Sequence, residues 1–343
     1  MPYTTQRRRE SIMRDKPSLK TVISVAIVLL LPLLTYGMDL FLQWLSTRGI
    51  YVPIPFGSST VLRVLTELYL YMLLAVGLNV VVGNLRRPDV GFAAFYLVGG
   101  YTAGLLMTKL GWNYWIVLVL AAIHGALWGL LRTAITLWLR GIYFAVATFG
   151  FAGLLYVAVK HGGASIGAPD GAVYGIPAPT VMGYELYYNW QHYYHILCLL
   201  VITLFIAYSL RNSRSNLVDL GGRNHAEQNV ESEPRQSYYF AGCAISAAIG
   251  AAGGAFFAQF RANINPDAFA PWESILVLCM VVVGGKGSIR RVLLGAGIVG
   301  LANEVLRLLL PIQFSSLRYL VFGALAILVM RCCPAGVFSA KRS

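Results

Sequence analysis

Apolar stretches close to twenty residues long recur along nearly the whole of this chain, and arginines and lysines collect in the gaps between them. An α-helix needs roughly 20 mostly apolar residues to cross a bilayer. Composition points the same way. Of 343 residues 57% are apolar and only 12% charged, with a mean hydropathy of +0.66. Soluble domains carry about 25% charged residues. A soluble globular enzyme and an intrinsically disordered chain are both excluded. The expected fold is all-α: a polytopic membrane helical bundle of about ten transmembrane helices. Ten spans would use roughly 200 residues, leaving short loops and no room for a large soluble domain.

The polar, basic segment Met1–Lys20 precedes a first apolar stretch, Thr21–Met38. That stretch is rather long for a signal-peptide core and lacks a small-residue cleavage site, so it reads as span 1. Further spans are expected at Leu62–Val82, Val90–Thr108, Trp115–Leu131, Ile142–Val159, Tyr194–Leu210, Tyr238–Phe260, Ile275–Gly284, Val292–Leu310 and Leu320–Met330. Ile275–Gly284 is short unless it begins near Pro271.

Cytoplasmic loops hold an excess of Lys and Arg. With the N-terminus inside, most of the 27 basic residues fall on cytoplasmic segments. Only Arg48, Arg63, Lys109, Lys160, Arg261, Arg307 and Arg318 lie outside or at span ends. This predicts both termini cytoplasmic: a basic tail over 1–20, a membrane domain over 21–331 and a short tail over 332–343. It also accounts for the net charge of +13 without nucleic acid. The outer loop 160–193 carries Tyr184, Tyr187, Tyr188, Trp190, Tyr193 and Tyr194, the composition of an interfacial aromatic belt. The cytoplasmic loop 211–237 is polar, and is the one inner segment large enough to dock a partner.

Small residues recur at helical spacing: Gly99–Gly100 with Gly104, Gly125 with Gly129, and Gly250 with Gly254. Such faces let helices approach closely in lipid. Ionisable residues within spans are costly and are functional candidates by default. Glu67, His124, Glu273, Glu304 and Arg307 qualify. Glu304 and Arg307 are spaced to pair on one helix face. Glu273 is placed to favour a helix N-terminus. The five cysteines lie in or beside apolar stretches and make no disulfide framework. His192 and His195 have metal-like spacing without a nearby carboxylate or thiol, and read as interfacial histidines. Gly284–Gly285–Lys286–Gly287–Ser288 lacks the first glycine of a phosphate-binding loop and reads as a tight turn. No catalytic motif is present, so no metal, no cofactor of its own and no enzymatic activity are expected.

Four stretches carry a family resemblance. Gly77–Leu78–Asn79–Val80–Val81–Val82–Gly83, followed by Gly91–Phe92–Ala93–Ala94–Phe95–Tyr96–Leu97–Val98–Gly99–Gly100–Tyr101, is the first. Leu139–Arg140–Gly141–Ile142–Tyr143 with Thr148–Phe149–Gly150–Phe151 is the second. Gly167–Ala168–Pro169–Asp170–Gly171 with Gly175–Ile176–Pro177 is the third. The fourth runs from Ile245 through Asn265–Pro266–Asp267, Glu273–Ser274 and Val281–Ser288 to Pro334–Ala335–Gly336. In this order they resemble the permease subunits of branched-chain amino-acid ABC importers, most closely the second of the two homologous permeases. The resemblance covers about residues 62–340.

The resemblance implies a multi-pass protein of the bacterial inner membrane. It implies a homologous second permease, two cytoplasmic ATPases that hydrolyse the ATP, and a periplasmic substrate-binding protein. Under it, Asn79, Gly99, Gly100, Tyr101, Thr148 and Glu273 are expected in the pathway or its gates. Arg211, Arg214, Arg223, His225, Glu227 and Glu231 are expected to couple to the ATPase. The coupling loop departs from the family pattern: Gly221–Gly222 weakens a helix start, and the Ala-rich docking face is missing. Two other readings follow from that departure. One is an ATP-independent channel or facilitator, the other a membrane scaffold or sensor; a stable complex with an ATPase separates both from the importer.

Overall fold

Long helices make up nearly all of the structure, a computed structural model that describes residues 30–37, 58–85, 87–139, 141–163, 168–181, 183–222, 236–309 and 317–332. The chain divides into two compact units, Met1–Arg63 and Val64–Ser343. In the first, residues 30–37 are helical, and the Thr35 hydroxyl donates to the Pro32 carbonyl at 2.9 Å. The rest of expected span 1 and both predicted tails lie outside the described residues, except for the last helical residue, Cys332.

Helix α1 (Ser58–Asn79) opens in the first unit and continues into the second, ending in a π-helical turn, Val80–Asn84. There follow α2 (Ala93–Leu110), α3 (Tyr114–Thr136), α4 (Ile142–Gly162), α5 (Asn189–Gly222), α6 (Gln236–Arg261), α7 (Pro271–Gly284), α8 (Ile289–Leu309) and α9 (Leu317–Cys332). The strands among the described residues are two-residue pieces, β1 (Thr180–Val181) and β2 (Tyr184–Glu185). They pair antiparallel with Thr180 opposite Glu185.

Six segments are long and apolar enough to cross a membrane: Ser59–Gly83, Tyr114–Thr136, Ile142–Gly162, Asn189–Arg211, Ser237–Arg261 and Pro266–Gly284. The last includes the 3₁₀ turn Pro266–Phe269, so the short expected span does begin earlier than Ile275. Pro271 stands in the first turn of α7, where a missing N–H costs no hydrogen bond.

In the second unit, the core forms around α6. Its small residues meet α2 and α3 without a side-chain layer between. A methyl group at Gly99 would strike the Ala251 carbonyl, and one at Gly254 the Tyr96 carbonyl. Methyls at Gly125 and Gly129 would strike Ala251 and Ala247. The predicted glycine pairs are therefore helix-crossing points. The Ser246 hydroxyl donates to the Gly77 carbonyl at 2.7 Å and ties α6 to α1. On the other flank α7 packs against α8 and α9. The outer faces of α3, α4 and α5 show Ile116, Val119, Ile123, Val146, Leu154 and Phe205 fully in the open. Apolar surface this extended suits lipid rather than water.

Two elements differ from their expected limits. The apolar stretch of α5 ends near Leu210, yet the helix runs on to Gly222. Backbone hydrogen bonds propagate a helix regardless of hydropathy, so the change from apolar to polar does not stop it. His192 and His195 are buried in the first turns of α5 rather than at the surface. His192 Nδ1 lies 3.1 Å from Gln259 Nε2, and His195 Nε2 lies 3.3 Å from the Tyr114 hydroxyl.

Candidate functional site

The residues expected at the pathway gather along α2 and at its two ends. The chain breaks between the π-helical turn and α2, over 85–92, because Pro88 and Gly91 interrupt helical bonding. A helix start leaves several N–H groups without partners inside the helix. Here three side chains from different parts of the chain supply acceptors. Asp89 Oδ1 accepts from Gly91 N at 2.9 Å, Ser274 Oγ from Ala93 N at 2.7 Å, and Thr148 Oγ1 from Val90 N at 3.2 Å. Thr148 also donates to the Ala145 carbonyl at 2.9 Å. A side chain at Gly91 would strike the backbone carbonyl of Thr148, so α4 crosses this start at backbone contact.

Asp89 makes a second contact that the sequence does not announce. Its Oδ2 lies 2.7 Å from Arg132 Nη1, with both side chains essentially sealed from solvent at 0% and 1% exposure. The Arg132 guanidinium also stands 4.5 Å from the centre of the Phe95 ring. Arg132 counts as a cytoplasmic loop charge by the distribution of basic residues, but it belongs to the last turns of α3 and faces inward. Arg87 caps the same end of α3. It donates to the Leu137 and Leu139 carbonyls at 3.2 and 2.7 Å, and lies against the Phe144 and Tyr239 rings. A cation suits the negative end of the helix dipole.

Asn79 closes α1. Its Oδ1 accepts from Gly287 N at 2.9 Å, pinning the end of α1 to the turn between α7 and α8. That turn is the sequence Gly284–Ser288. Gly285 and Gly287 take φ of 103° and 85°, a backbone region open to glycine and rarely to other residues.

At the opposite end of α2, the Tyr101 hydroxyl donates to the Gly171 carbonyl at 2.5 Å, and its ring lies 5.8 Å from that of Phe269. This holds the 160–193 loop down on the bundle. The same loop bonds to the link between α6 and α7: Val173 and Ile264 exchange backbone hydrogen bonds at 2.9 Å, and Ile176 N donates to the Ala262 carbonyl at 2.8 Å. Nearby, Asp267 accepts from the Tyr156 hydroxyl at 2.5 Å and from Lys160 Nζ at 2.9 Å. Gly99 and Gly100 sit mid-helix at the crossing with α6. Glu273 is buried in the first turn of α7, beside Ser274.

Asn79, Tyr101, Thr148 and the two glycines thus each occupy a joint between elements. Among the expected coupling residues, Arg211 is exposed on α5 and Arg214 lies on the same helix. Arg223, His225, Glu227 and Glu231 lie outside the described residues. No group of three or more metal-ligating side chains occurs among the described residues.

The remaining intramembrane charges meet between α1, α6 and α8. Glu67 Oε1 lies 2.6 Å from Arg261 Nη2, and Glu67 Oε2 lies 2.8 Å from Arg307 Nη1. The expected Glu304–Arg307 pair is present but loose, at 3.6 Å.

Comparison with known proteins places this architecture. Residues 60–330 match the sequence family described as branched-chain amino acid transport system / permease component. The chain is 29% identical over 338 residues to the high-affinity branched-chain amino acid transport system permease protein LivM of Escherichia coli K12. The alignment covers 90% of this chain and 76% of that protein. It is 28% identical over 337 residues to LivM of Salmonella typhimurium, with the same coverage. No solved structure matches. The matched region takes in every helix from α1 through most of α9, so the chain belongs to the family of permease components of branched-chain amino acid transport systems and is a multi-pass membrane permease subunit.

Proposed function

We propose that this chain forms half of the translocation pathway of an ATP-driven importer for a branched-chain amino acid or a similar small polar solute. One observation carries the reading: the family match extends over the whole bundle, residues 60–330, rather than over one motif. In this reading a homologous second permease completes the pathway. Two cytoplasmic ATPases supply the energy, and a periplasmic binding protein delivers the solute. The chain crosses the bacterial inner membrane about ten times with both ends cytoplasmic. The 160–193 loop is then outside, and the 284–288 turn and the Arg87–Arg132 end of α3 are inside.

The joints described above give the mechanism its parts. Alternating access needs rigid groups of helices that rock against each other, with few places where they bend. The π-helical turn after Asn79 is such a place, since such turns interrupt regular α bonding. Asn79 transmits its motion to the α7–α8 turn, and Tyr101 keeps the outer loop in register with α2. The polar continuation of α5 and the segment that follows, Arg211 to Glu231, form the coupling contact with the ATPase.

The test is purification of the full chain from its native membrane in mild detergent. The expected result is recovery of a second permease and ATPases, and ATP-dependent uptake of leucine, isoleucine or valine once the complex is reconstituted. Solute flux through the chain alone, without ATP, would replace this reading with a facilitator.

A further inference from the structure

The four charges between α1, α6 and α8 are not used by any joint above, and their hydrogen bonding is incomplete in a specific way. Glu67 takes both guanidinium groups, Arg261 at 2.6 Å and Arg307 at 2.8 Å. Glu304, 4% exposed, is left with Oε1 at 3.6 Å from Arg307, outside hydrogen-bond reach, and that oxygen has no other partner. Its neighbour Asn303, 1% exposed, donates through Nδ2 to the Tyr71 hydroxyl at 3.4 Å, while its Oδ1 is unpartnered. Arg261 Nε is buried and likewise has no acceptor. Two idle acceptors therefore lie on consecutive residues of α8, and one idle donor lies on α6. Buried polar groups are normally satisfied, and each exception calls for a cause.

The chemistry of the missing partner follows from charge balance. The cluster holds two carboxylates and two guanidinium groups. A bare cation or a bare anion would leave one net charge in a low-dielectric site, which is costly. A ligand carrying both an ammonium and a carboxylate keeps the sum unchanged. Its ammonium has three donors for Glu304 Oε1 and Asn303 Oδ1, and its carboxylate accepts from arginine in a charge-assisted bond.

Access is one-sided. The side chains of Arg261 and Arg307 are 24% and 37% exposed, and those of Glu67 and Glu304 only 6% and 5%. The arginines form a rim and the carboxylates a floor. Arg261 adjoins Ala262, to which the 160–193 loop is bonded, so the rim lies at that end of the bundle. We infer that Asn303, Glu304 and Arg261, with Arg307 at the rim, form a headgroup site for a zwitterionic α-amino acid. The inference rests on the import reading and adds to it the place on this chain where the solute is held.

The full chain in phosphatidylcholine nanodiscs tests it, by equilibrium binding of labelled L-leucine. Two analogues compete: leucinamide, which keeps the ammonium and lacks the carboxylate, and 4-methylpentanoate, which keeps the carboxylate and lacks the ammonium. Each is expected to compete about tenfold or more weakly than leucine, as loss of a charge-assisted hydrogen bond implies. Glu304→Gln is expected to weaken leucine and leucinamide by a similar factor and leave 4-methylpentanoate unchanged. The analogue series on the unaltered chain decides the matter even where the variant fails to fold.

Equal competition by all three ligands would overturn the site. So would phosphatidylethanolamine, whose headgroup is also zwitterionic, occupying it in place of leucine. A reconstituted complex that imports leucine while this chain binds none would overturn the site and leave the import reading intact. Leucine binding with the expected analogue order, by a chain that assembles with no ATPase, would do the reverse.

Discussion

Asp89 and Arg132 show how much one pair of residues can decide in this bundle. Asp89 neutralises a buried guanidinium and also holds the first N–H of the α2 lead-in. Asp89→Asn keeps the hydrogen bond to Gly91 and strands the Arg132 charge. Breaking a buried pair from one side costs about 3–5 kcal/mol. A loss of that size is expected in thermal unfolding of the detergent-solubilised protein. The double replacement Asp89→Leu with Arg132→Met is expected to recover most of it, because an apolar pair of similar volume removes both charges from the interior. An unchanged melting temperature in Asp89→Asn would contradict the pairing. The sequence reveals such residues unevenly. Glu304 and Arg307 are visible because helical spacing brings them to one face. Asp89 and Arg132 fall in different gaps between apolar stretches, and Arg132 passes for one more loop cation. Nothing short of the fold joins them.

Elements rather than single contacts set the tolerance to change. Gly99 and Gly254 face backbone across the α2–α6 crossing, whereas a methyl at Gly150 or Gly153 of α4 would meet nothing within 4 Å. Gly254→Ala is expected to cost about 1–3 kcal/mol by overpacking, and Gly99→Leu to abolish folded yield. Gly150→Ala and Gly153→Ala are expected to stay within about 0.5 kcal/mol of the parent or gain slightly, since alanine is the better helix former. Size-exclusion profiles and melting temperatures of the four variants check this. Hydropathy alone places the spans at α1, α3, α4 and α6 within a few residues, because lipid demands continuous apolar length there. It cannot find the π-helical turn at Val80–Asn84, which lies inside an unbroken apolar run, nor the helical continuation of α5 past Leu210. Both are features of backbone bonding that leave no trace in polarity.

For the molecule as a whole, orientation is the property that ties geometry to transport. Tyr187 on the 160–193 loop is 69% exposed, and Lys286 in the α7–α8 turn is exposed as well. Cysteines introduced singly at these positions, in a chain whose five native cysteines are replaced by alanine, serve as reporters. A membrane-impermeant maleimide is expected to label Tyr187→Cys in intact cells, and Lys286→Cys only after the membrane is opened. Labelling of both from one side would refute the proposed topology. The candidate site is less legible in the sequence than the fold. The quoted motifs do mark Asn79, Tyr101 and Thr148, but as positions in a pattern. Only the coordinates show them to be joints.

Side chains at most helix contacts act as a deformable layer, since they can change rotamer and let one helix slip along another. Between α2 and α6 that layer is missing, and carbonyl meets Cα directly at Gly99 and Gly254. Sliding there would drive backbone into backbone. These two helices, with α3 seated on α6 in the same manner, therefore behave as a single keel with no internal bearing. Any rocking of the permease must be taken up at its margins, where rotamers still have room to turn.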